Sequence, residues 1–90
     1  MAPELYVLQL ISSYEKEAER FLTLQNSNYS YSITLIKMHL GTLRQAYGRC
    51  DIEQQLYCVN RISRIIGEID GSEYAKKKME EERACAASTN

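Results

Sequence analysis

Ninety residues with a formal charge of −1 make one domain, with no global positive excess to hold nucleic acid or a membrane surface. Three cysteines, Cys50, Cys58 and Cys85, are too few and odd in number for a disulfide framework. No apolar run approaches the roughly 20 residues of a membrane helix, and the N-terminus lacks the basic start and small-residue cleavage site of a secretory signal; the expectation is a soluble, cytoplasmic protein.

The charge is unevenly spread. Residues 1–30 and 67–90 are each acidic by two charges, and residues 31–66 are basic by three. A chain this short buries a modest core, and association with a partner is a common remedy.

The lone proline, Pro3, suits the first turn of a helix. From there Val7, Ile11, Tyr14, Ala18 and Phe21 recur at spacings of four and three, one face of an amphipathic helix ending near Leu24. Ser12 and Glu15 also stand as a capping box, which would start the helix later; the longer helix is favoured. Residues 25–32, "QNSNYSYS", then break the pattern, because Asn and Ser compete with helical hydrogen bonds. Tyr29 and Tyr31 could stack on bases, but no Lys or Arg stands among those eight residues. The stretch reads as a loop.

A second helix is expected over residues 32–47, with Ile33, Ile36, Leu40, Leu43 and Tyr47 on one face, and a third over 52–69. Between them lies "YGRCDIEQQLYC". Gly48 ends one helix, Arg49 and Cys50 cross the gap, and Asp51 caps the next, with Gln54 in the reciprocal place of a capping box. So short a connection joins antiparallel neighbours. Cys50 and Cys58 have no second pair and only His39 for company, so no metal or other cofactor is expected.

Gly71 is placed to stop the third helix. Ser72 would cap a short last helix, whose lysines precede its glutamates, the wrong order for the helix dipole. Fraying is expected there. The expected fold is therefore all-α: a helical hairpin plus an N-terminal helix, a three-helix arrangement with a partly frayed C-terminal helix. Residues 1–83 form the domain and 84–90 a disordered tail.

Catalytic patterns are missing. The sequence holds no nucleophile elbow and no phosphate-cradling glycine loop. His39 lies beside the apolar stripe, where boundary packing explains it. The expectation is a protein that is not an enzyme.

The third helix carries more apolar surface than a seam needs. Ile52, Leu56, Val59 and Ile66 form one line, expected to face the core. Cys58, Ile62, Ile65 and Ile69 form a second line on its flank, interrupted by Glu68 alone. Leu35, His39 and Ala46 widen the second helix similarly. Either the first helix covers this surplus, or Leu35, His39, Cys58, Ile62, Ile65 and Ile69 form a groove for a partner's amphipathic helix.

Residues 33–77, "ITLIKMHLGTLRQAYGRCDIEQQLYCVNRISRIIGEIDGSEYAKK", resemble the helical hairpin of small type III secretion export chaperones. Arg49, Asp51, Gln54 and Gln55 are similar to the turn of needle-subunit co-chaperones. Asp51, Ile52, Glu53, Ile65, Ile66 and Gly71 are similar to flagellin export chaperones. The resemblance implies a bacterial cytosolic protein, serving virulence, that shields an export substrate's aggregation-prone helix beside a second chaperone subunit. It carries no catalytic residues.

A homo-oligomer is also compatible with these features. Two other functions are open: a nucleic-acid-binding helix-turn-helix regulator using Arg61 and Arg64, though a recognition helix normally shows more basic residues, and a viral or phage inhibitor that masks a host protein.

Overall fold

The computed structural model describes residues 3–24 and 29–88. Three helices run up, down and up: α1 (Pro3–Leu22), α2 (Ser30–Gly48) and α3 (Ile52–Ser88). The fold is all-α, a helical hairpin with an additional N-terminal helix, and the longer first helix is the one observed. Residues 25–28 of the expected loop lie outside the described residues. Tyr29 precedes α2, which starts two residues earlier than its apolar pattern suggests.

The core is built from one stripe of each helix. Ile11, Tyr14, Ala18 and Phe21 of α1 meet Ile33, Ile36, Leu40 and Leu43 of α2, and these meet Cys58, Ile62, Ile65 and Ile69 of α3. The middle helix therefore touches both neighbours, and α1 lies along one side of the hairpin. Ion pairs fix it there: Glu15 with Arg44 of α2, and Arg20 with Asp70 of α3 at 2.9 Å. The hydrogen bonds from Arg20 to Asp70, then to Glu17, hold its guanidinium above the ordinary arginine pKa. Tyr14 and Ser63 hydroxyls meet at 2.8 Å.

Between α2 and α3 the chain turns on a Schellman motif. The Asp51 N–H donates to the Ala46 carbonyl at 2.9 Å and the Cys50 N–H to the Tyr47 carbonyl at 3.2 Å. Cys50 takes the left-handed conformation (φ 57°) usually given to glycine, while Gly48 sits two residues too early, still in the helix. Asp51 then caps α3, its Oδ1 accepting the Gln54 N–H at 3.1 Å. The expected capping box closes on this side only, because the Asp51 N–H is already spent on Ala46. Asp51→Ala is expected to cost about 0.5–2 kcal/mol, read as a lower melting temperature. An unmoved midpoint would remove Asp51 from that role.

Two expectations about the C-terminal third are corrected. α3 does not stop before Gly71, where no glycine adopts positive φ, and no separate helix starts at Ser72. One 37-residue helix continues through Ser88, including backbone expected to be disordered from Ala84; residues 89 and 90 lie outside the described residues. The reason is local. From Glu73 to Ala84 the chain is rich in strong helix formers, and Glu73–Lys76 and Lys78–Glu81 pair along the helix. The dipole objection to those lysines also lapses, since they now sit mid-helix, far from either terminus.

Candidate partner-binding surface

The second apolar line of α3 is the core, which reverses the expected assignment. Cys58 and Ile62 are fully buried, with Ile69 and Ile65 at 2% and 7% exposure. They cannot offer a partner surface in this fold. Burial pushes the Cys58 thiol up from its ordinary pKa, leaving it a neutral packing group.

The line expected to face the core lies toward α1 instead. Val59 and Ile66 pack on the core's edge, and the polar residues between and beyond them, Ser63 and Asp70, meet Tyr14 and Arg20. Nearer the start of α3, Ile52 and Leu56 are left 66% and 59% exposed. The first helix thus covers part of the surplus, and the exposed remainder falls elsewhere than expected.

Leu35 and His39 keep a place at the surface. Both are half-buried on the flank of the hairpin away from α1, where the His39 ring meets Tyr57 edge-on, centroids 6.2 Å apart. Beside Leu35 a shallow depression of about 340 Å³ is bounded by Tyr31, Arg61, Arg64 and Glu68. Two stripes flank it, each at spacings of four, three and four: Tyr31, Leu35, Met38 and Thr42 on α2, and Tyr57, Arg61, Arg64 and Glu68 on α3. Tyr31 and Met38 are among the most exposed large apolar side chains, at 76% and 60%. Sequence reasoning left Tyr31, Met38, Tyr57, Arg61 and Arg64 out of this surface. Their matched spacing was the available signal.

The electrostatics of this flank are unbalanced. Arg61 is half-buried, and its Nε is shielded from solvent with no hydrogen-bond acceptor. Neither Arg61 nor Arg64 takes part in the ion pairs found among the described residues. At the Tyr29 end of the bundle, by contrast, the Tyr29 hydroxyl donates to Glu73 at 2.7 Å and accepts from Lys76, which raises the lysine's pKa. Among the described residues no group of three or more His, Cys, Asp or Glu side chains could hold a metal ion, and no helix is long and apolar enough to cross a membrane.

No family model matches the chain, and comparison with curated proteins and with solved structures finds no match.

Proposed function

We propose that the chain is a non-enzymatic, cytoplasmic protein-binding module. Its work is that of a co-chaperone or adaptor, shielding an amphipathic helix of an export substrate or pairing with a second chaperone subunit. The observation that supports this reading is the uncovered flank of the α2–α3 hairpin, where Tyr31, Met38 and Tyr57 stand exposed around half-buried Leu35 and His39. A furrow between two antiparallel helices, edged with aromatic and thioether side chains, is the shape that takes a third helix through apolar anchors about one turn apart.

The test uses the partner identified by tagged capture from cells, then purified and titrated. Met38→Glu with Tyr57→Glu should weaken its binding by at least about tenfold, because charges would be buried unpaired, while the melting temperature stays put. Ile52→Glu, on the opposite flank, should bind normally. Equal binding by all three proteins would dismiss the hairpin flank. A second reading, a nucleic-acid-binding regulator, draws on the two unpaired arginines; salt-dependent binding to random duplex DNA would favour it.

A further inference from the structure

We infer that the occupant of the hairpin flank is an acidic amphipathic helix whose carboxylates pair with Arg61 and Arg64; this rests on the proposed function of that flank. The inference comes from what the fold leaves open. The ion pairs that join helices, Arg44 with Glu15 and Arg20 with Asp70, lie on the α1 side of the bundle. On the uncovered flank two guanidinium groups stand one turn apart outside the ion pairs found among the described residues.

Arg61 is the more telling of the two. Its Nε–H is withdrawn from water with no acceptor supplied by the protein, a condition buried donors rarely keep. The side chain nevertheless borders the depression beside Leu35 and Ile65. A small rotation of so long a side chain would turn its Nε–H and Nη–H edge toward an incoming carboxylate. That edge accepts both oxygens side by side, a geometry an ammonium cannot reproduce. Arg64, exposed one turn on, would hold a second carboxylate near the rim.

The stripe also dictates an order. Along α3 it reads aromatic, basic, basic, acidic: Tyr57, Arg61, Arg64, Glu68. The complementary helix therefore carries an apolar anchor, then two acids a turn apart, then a base opposite Glu68, spanning about 16 Å at 1.5 Å per residue. Opposite Leu35 and His39 its inner face is aliphatic. A uniformly acidic segment would meet Glu68 with like charge, so sequence order as well as net charge is selected.

The probe is a synthetic helical peptide of roughly 18 residues with leucines at i, i+4 and i+7, flanked in the order Glu, Glu, Lys. Its counterpart has Lys, Lys, Glu at the same places. Fluorescence anisotropy with the full-length protein should show the first peptide binding at least about tenfold more tightly than the second. Arg61→Lys and Arg64→Gln should each remove most of that preference without moving the melting temperature. Loss with Arg61→Lys, which keeps the charge, identifies the guanidinium fork rather than general attraction. If both peptides bind equally and Met38→Glu with Tyr57→Glu abolishes both, the charge inference falls while the proposed flank stands. If neither binds at about 1 mM, the affinity of a negligible contact, both are overturned.

Discussion

Ile65→Lys is expected to unfold the protein. Ile65 is 7% exposed and packs with Ile62 and Ile69 of its own helix against the α2 stripe. A lysine stem placed there displaces the packing of Ile62 and Ile69 and draws a charge against the core, at a cost of several kcal/mol. A domain this small holds only about 5–10 kcal/mol in all. Far-UV circular dichroism at 25 °C should show most of the helical signal gone. Leu56→Lys, about two and a half turns earlier and exposed, should keep signal and midpoint. A native spectrum for Ile65→Lys would mean that α3 is rotated about its axis from the arrangement described.

Phe21→Ala should cost about 3–5 kcal/mol, the usual loss for truncating a buried aromatic ring. Phe21 is 2% exposed in the last full turn of α1, with the Arg20 guanidinium 4.7 Å from its ring centroid. Urea denaturation followed by circular dichroism measures the loss. The size of the effect matters beyond the residue, since it says whether α1 belongs to the cooperative core. A loss under about 1 kcal/mol would make α1 a helix laid on the hairpin and free to leave it.

Much of the architecture could be read from residue spacing. The stripe of α1, the stripe of α2 and the turn capped by Asp51 all follow from periodicity and cap chemistry, which act over a few residues. The face of α3 was also legible, but by a different count. The line through Ile52, Leu56 and Val59 is broken by Ser63 and again by Asp70 within its own register, while Cys58, Ile62, Ile65 and Ile69 keep theirs apolar, with Glu68 only beside it. Weighing breaks as well as apolar residues would have put the second line inside. What spacing could not supply is why Ser63 and Asp70 are tolerated on the other line. Their partners, Tyr14 and Arg20, lie 49 and 50 residues away. The uncovered flank escaped notice for a similar reason, because it exists only once α1 has chosen the opposite side. Gly71 misled in the other direction: a glycine permits a helix to stop but does not compel it.

That glycine has a further effect. α3 is one helix in space, yet Gly67 and Gly71 lie within it, with nothing near enough for a side chain to touch, and each weakens the helix by about 0.5–1 kcal/mol relative to alanine. From Tyr74 to Cys85 every residue is exposed, so no tertiary burial reinforces that part. Lys76 reaches the Tyr29 hydroxyl and ring, but a segment of about twelve residues without tertiary burial is marginal in water. Opening it breaks no core contact, whereas opening the turns around Ile62 dismantles the bundle. The chain therefore has two stabilities along a single rod. A melting curve read as one transition would report the bundle, and the gentle slope before it would be the far end of α3 coming undone first.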